Sequence, residues 1–270
     1  MHATSVQSFY KKSIFDTGAG SCYIYNRAIA EKIGVKFPTT DTILQNNGTI
    51  RCILGMVDSL EMGGFFIKKQ PVYVNIETTD VADTAQIQCD SIFNSAFDIV
   101  LGMQIIRQLV VVEFDFVKNT MSFPQKTKAL NKPNLYIENT VLFMNMEICN
   151  ANFLTFFDMG GAEGLSINTN FYEQHKPCIL TKTEAEEKKG AVGACNKSSL
   201  YDRYIYNCPK INIKINDCEI TMTDDCTVAK DKENDDQYGT DEGGFLGNII
   251  LKYCKKAVFD FENMGFSVEK

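Results

Sequence analysis

The stretch Ser13-Ile14-Phe15-Asp16-Thr17-Gly18-Ala19-Gly20 has a second copy in Thr155-Phe156-Phe157-Asp158-Met159-Gly160-Gly161-Ala162. Each is an apolar run that ends in Asp-x-Gly. Apolar residues leading into an Asp and a Gly read as a strand that enters a tight turn. One such triplet says little, because Asp and Gly favour turns of every kind. Two at equivalent places of a duplicated chain say more, so the extent of the duplication decides the reading.

The duplication extends to the ends of both halves. Leu101-Gly102 matches Leu246-Gly247, and Ile105-Ile106 matches Ile250-Leu251. Val112-Glu113-Phe114-Asp115-Phe116 matches Ala257-Val258-Phe259-Asp260-Phe261. Gly102 and Gly247 stand 145 residues apart (247 − 102), as do Asp115 and Asp260 (260 − 115). The register therefore holds across the block without a gap. The pattern predicts a strand ending at Leu-Gly, a short helix over 103–109 and 248–254, and a strand over 110–116 and 257–261. Turns at Lys118-Asn119 and Glu262-Asn263 then lead to return strands over 121–123 and 265–268. The seam from Pro124 to Pro133 is polar and suits an exposed linker. Domain limits of 1–124 and 136–270, with a linker over 125–135, follow.

Composition narrows the function. The 270 residues are 44% hydrophobic and 23% charged, enough to build a packed core. The net charge of −7 disfavours nucleic-acid binding, which needs a basic face. The most apolar stretch, Phe97 to Phe116, is broken by Asp98, Arg107, Glu113 and Asp115, so no membrane span is expected. The 10 cysteines lack the spacing of a small disulfide scaffold and include no C-x-x-C, so mostly reduced, buried thiols are expected. His2 and His175 are the two histidines, which argues against a zinc site. Neither a metal nor a cofactor is expected.

A carboxylate from each half changes what the chain can do. Pseudo-twofold symmetry brings equivalent points together at the axis. Two close carboxylates cannot both ionise cheaply, so one keeps its proton. The ionised partner can then act as general base on a shared water while the protonated one hydrogen-bonds a scissile carbonyl. No nucleophilic side chain is needed.

Phe15-Asp16-Thr17-Gly18-Ala19 resembles the active-site turn of retropepsin-like aspartic proteases. Asp98-Ile99-Val100-Leu101-Gly102, with a short helix after it, is similar to the family's Ile-Leu-Gly strand that crosses behind that turn. The stretch Ala257 to Phe266 is similar to the C-terminal strands of pepsin-like enzymes. The resemblance implies an all-β chain of two pseudo-twofold-related closed β-barrel lobes with short helices and a peptide cleft between them. It implies that Asp16 and Asp158 are catalytic and that Thr17, Gly18, Ala19, Met159, Gly160 and Gly161 support the loops. Met159 departs from the family, where Thr or Ser at this place bonds the opposite loop. Half of the reciprocal bonding is thereby lost, at about 0.5–1.5 kcal/mol. Met159→Thr is expected either to restore that bond or, if Met159 fills an apolar pocket, to leave a cavity.

The resemblance also implies a flap over the cleft. Asn46, Asn47 and Gly48 are its candidate, since Asn-Gly between apolar residues is a strong hairpin signal. A second hairpin is expected near 190–206. Thr183-Glu184-Ala185-Glu186 reads as a capping box that opens a short helix. Asp231, Glu233, Asp235 and Glu242 fall at four places of a calcium-loop template, within a run that reads more simply as a solvated acidic loop. A Cys178–His175 nucleophile pair has no orienting partner.

The expected function is an aspartic endopeptidase acting as a monomer on peptide or protein substrates. The alternative is a peptide-binding pseudo-protease of the same fold that has lost the chemistry through its altered second loop. A cytoplasmic location is expected, with a secreted or cell-envelope location the alternative if a leader has been removed.

Overall fold

Both copies of the apolar run are strands, and each leads into its aspartate. The computed structural model describes residues 12–38, 43–46, 50–62, 64–75, 97–126, 132–182, 184–191, 200–231 and 243–270. In the first half, β1 (Ser13–Phe15), β2 (Tyr23–Ile24), β3 (Ile43–Asn46), β4 (Ile50–Met62), β5 (Phe65–Asn75) and β6 (Ile99–Leu101) form one sheet in the order β1-β6-β2-β5-β4-β3. The helix α1 (Arg27–Lys32) follows β2, and α2 (Met103–Ile106) with a 3₁₀ turn over Arg107–Leu109 follows β6.

The second half repeats this plan. It contains β9 (Leu135–Glu138), β10 (Val141–Ile148), β11 (Ala151–Asp158), β12 (Leu165–Asn168), β13 (Ala185–Ala191), β14 (Leu200–Ile215), β15 (Cys218–Asp231) and β16 (Gly244–Gly247). They order as β13-β14-β15-β12-β16-β11-β10-β9, and β10 pairs in addition with β14 through Glu147↔Lys214 and Ile148↔Ile213. The helix α3 (Thr169–His175) follows β12 as α1 follows β2, and each has an asparagine cap. Asn26 accepts from the Ala28 N–H and Asn168 from the Phe171 N–H, which satisfies a backbone donor that a helix start leaves unpaired.

A third sheet joins the halves. It contains β7 (Val111–Asp115), β8 (Thr120–Ser122), β17 (Lys256–Asp260) and β18 (Gly265–Glu269) in the order β18-β17-β7-β8. Asp115 pairs with Thr120 and Asp260 with Gly265, so the two hairpins share one register at the 145-residue offset (260 − 115). Between them, Glu113 pairs with Val258, its own counterpart (258 − 113). A residue opposite its own copy marks the pseudo-twofold axis.

The core is continuous across that axis. Phe15 packs on Phe114 and Phe259 at ring distances of 5.4 and 6.0 Å, and Phe157 packs on Phe259 and Phe266 at 5.5 and 5.0 Å. Phe15 and Phe157 are the residues before the two aspartates, so the same ring, Phe259, supports both strand ends. Phe157, Phe259 and Phe266 are fully buried, each stabilising the fold by about 1.5–3 kcal/mol.

The all-β reading with short helices is borne out, with two corrections. The stretch after Thr183 is not a helix: Ala185–Ala191 is β13, paired residue by residue with Leu200–Tyr206. A helix of one or two turns is marginal without a packed face, whereas the neighbouring strand satisfies every second backbone group. Cys149 and Cys178 depart from the reduced-thiol expectation and form a disulfide, while Cys22, Cys52, Cys208, Cys218, Cys226 and Cys254 are free thiols.

Candidate active site

Asp16 and Asp158 sit at the ends of β1 and β11, each beside a parallel neighbour. The Asp16 N–H donates to the Leu101 carbonyl at 3.0 Å, and Asp158 is in register with Gly247. The loops then fold back onto their own carboxylates. Gly18 and Ala19 donate their N–H groups to Asp16 Oδ1 at 2.9 and 3.0 Å. Gly160 and Gly161 do the same to Asp158 Oδ1 at 2.8 and 3.1 Å.

The two loops interlock. A Cβ on Gly18 would lie 2.5 Å from Asp158 Cγ, and one on Gly160 would lie 2.3 Å from Asp16 Cγ. Each glycine therefore lies against the carboxyl of the opposite half, where no side chain fits. The Asp158 carboxyl stands close enough to that of Asp16 to perturb it. Burial and then the Asp158 charge push the Asp16 carboxyl up to about 7, against the pull of the Gly18 and Ala19 N–H groups.

Thr17 ties the loops together through one oxygen. Its buried Oγ1 donates to the Phe157 carbonyl at 2.6 Å and accepts from the Met159 N–H at 2.8 Å. Met159 cannot return the donated bond, because a thioether has no hydrogen to give. Its side chain is 6% exposed and belongs to the hydrophobic core. Met159→Thr is therefore expected to lower the melting temperature, at a cost of about 2–4 kcal/mol. An unchanged melting temperature would show instead that Met159 does not fill an apolar pocket.

The Leu-Gly pairs behind the loops have a steric reason that the sequence reading missed. A Cβ on Gly102 would lie 2.1 Å from the Ser21 carbonyl oxygen and 2.5 Å from that of Ala19. On Gly247 it would lie 2.2 Å from the Glu163 oxygen and 2.7 Å from that of Gly161. These glycines let β6 and β16 press against the aspartate loops.

The flap candidate is partly placed. β3 and β4 form an antiparallel hairpin that closes with Asn46 opposite Ile50, while Asn47 and Gly48 lie outside the described residues. β13 and β14 form the corresponding second-half hairpin. Glu233, Asp235 and Glu242 of the calcium template also lie outside them. Among the described residues no group of three or more His, Cys, Asp or Glu is placed to hold a metal. The Cys178–His175 pair is excluded as a nucleophile, because the Cys178 sulfur is bonded to Cys149. A cavity of about 310 Å³ lined by Tyr172, Lys176, Lys182, Tyr206 and Lys230 lies beside α3 and contains none of the loop residues.

No family model and no curated protein matches this chain.

Proposed function

We propose that the protein is an aspartic endopeptidase of the retropepsin-like type, with both halves of the active site on one chain. The observation that carries the reading is the contact between Asp16 and Asp158 at the pseudo-twofold axis, with one carboxyl raised to about 7. Two ionised carboxylates side by side repel, so the pair is stable when one of them holds a proton. A pair that shares a proton is a general acid and a general base side by side.

The chemistry follows from that proton. Asp158 takes a proton from water as the water oxygen bonds to the scissile carbonyl carbon. Asp16 gives its proton to the carbonyl oxygen, and a neutral gem-diol results. In collapse, Asp158 protonates the amine as the C–N bond breaks, and Asp16 recovers its proton from a diol hydroxyl. The closed, two-lobed acid-protease architecture belongs to the same proposal. Its support is the repeated order of strands and the β10–β14 pairing that joins the second-half sheet back to itself. The β3–β4 hairpin serves as the flap and the two halves form one monomeric unit. Among the described residues no helix is long and apolar enough to cross a membrane. The Cys149–Cys178 bond favours an oxidising compartment over the cytoplasm.

Digestion of a peptide library between pH 3 and 8 tests the reading. Cleavage is expected at acid pH, falling as pH rises through about 7 and the dyad loses its proton. A compound that mimics the hydrated peptide bond should block it. The second reading, a peptide-binding pseudo-protease, is favoured only by Met159. Tight binding of that compound with no cleavage at any pH would select it.

A further inference from the structure

The two halves differ at a second place that bears on the dyad. The 145-residue offset sets Asn248 opposite Met103 (248 − 103), each the first residue after the Leu-Gly pair. Their backbones do the same thing: the Met103 N–H donates to the Ala19 carbonyl at 2.7 Å and the Asn248 N–H to the Gly161 carbonyl at 2.9 Å. Their side chains do not. Met103 is fully buried in the core, whereas Asn248 donates through Nδ2 to the Met159 carbonyl at 3.3 Å.

That carbonyl belongs to the same planar unit as the Gly160 N–H, and the Gly160 N–H is bonded to Asp158 Oδ1 at 2.8 Å. Fixing one end of a planar peptide fixes the other. The Met159 residue is also held from its other side, where its own N–H meets Thr17 Oγ1. A donor on the carbonyl further polarises the unit, so the Gly160 N–H becomes a better donor to the carboxylate. Polar and apolar residues have thus exchanged places between the halves. The first has Thr17 on the loop and Met103 behind it; the second has Met159 on the loop and Asn248 behind it.

We propose that Asn248 is a positioning residue for the dyad: its amide holds the Met159–Gly160 peptide, and through it the Asp158 carboxylate, in place of the hydroxyl that Met159 lacks. The inference rests on the aspartic-protease reading for its catalytic consequence but not for its structural one. Asn248 touches neither substrate nor the reacting atoms.

Two variants test it. Asn248→Asp keeps the shape and removes the donor, and Asn248→Met installs the residue of the first half. Both are expected to lower kcat roughly tenfold with KM changed by less than about twofold, because the lost bond aligns the reacting groups rather than binding peptide. In the same proteins, hydrogen exchange at the Gly160 and Gly161 amides should accelerate, while the β7–β17 amides exchange as in the wild type. Unchanged exchange at Gly160 and Gly161 in both variants would overturn the proposal, and so would faster exchange with kcat unaltered. If the wild-type protein cleaves no peptide, the aspartic-protease reading fails on its own account, and the exchange of those two amides alone decides whether Asn248 holds the loop.

Discussion

Asp16→Asn is expected to abolish peptide cleavage and, above about pH 7, to raise the melting temperature. The two effects have one cause. The folded protein holds the Asp16 carboxyl at about 7 against 3.8 for an ordinary aspartate, chiefly through burial and secondly through the Asp158 charge. The folded state therefore binds this proton more tightly than the unfolded chain does. Its contribution to stability is complete below about pH 4 and is lost as pH rises to about 7. Asparagine is neutral at every pH and resembles the protonated acid, so the variant escapes the loss. A gain on the order of 5 °C at pH 8, vanishing near pH 4, is the expected melting result. Cleavage should fall by at least about 10³-fold in this variant and in Asp158→Asn, since the pair acts as a unit. Melting curves at pH 4 and pH 8, with peptide assays on the same preparations, check both. A variant no more stable than the wild type at pH 8 would mean that burial and the Asp158 charge do not hold a proton on Asp16.

Gly160→Ala is expected to be nearly as damaging without touching a titrating group. The added methyl would lie 2.3 Å from Asp16 Cγ and 2.5 Å from Oδ1, well inside contact distance. The carboxyl has little room to retreat, because its own loop binds it through Gly18 and Ala19. The loops must separate, and a displacement of about 1 Å costs on the order of 100-fold in rate. Gly161→Ala is the internal comparison: its methyl meets chiefly the edge of the Phe245 ring, a side chain that can turn. It should lose less activity and less stability. Equal activity in the two variants would show that the loops are not pressed together as described. Gly18→Ala, with its methyl 2.5 Å from Asp158 Cγ, should behave like Gly160→Ala.

Much of this was legible in the sequence because the chain is written twice. The offset between Gly102 and Gly247 located the hairpins of the joining sheet to within a residue, and Asp-x-Gly located both loops. A repeat filters chance: a turn signal that recurs in register is not a stray turn. What escaped notice was of four kinds. Steric need leaves no pattern of its own, so Gly102 and Gly247 read only as strand ends although their task is close backbone approach. Long-range covalent choice is equally silent, since nothing local marks Cys149 for Cys178, 29 residues away. Local propensity also misled: Glu184 to Lys189 is rich in helix formers, but β14 was available as a partner and the ladder prevailed. Asn248 was hidden differently. It is visible only when the two halves are compared for their differences rather than their likeness, and then only beside Met159.

The single oxygen of Thr17 has a consequence for how such a chain can change. In a pair of identical loops, each hydroxyl duplicates the work of the other, and a fault in one leaves the other in place. Here there is no spare. Every hydrogen bond described from a loop side chain to the facing loop's backbone passes through Thr17 Oγ1. The second loop differs from the first at Met159, and that difference leaves the first loop irreplaceable. Residue 17 is bound to its hydroxyl by the identity of residue 159, so the tolerance of either position can be measured only in the presence of the other.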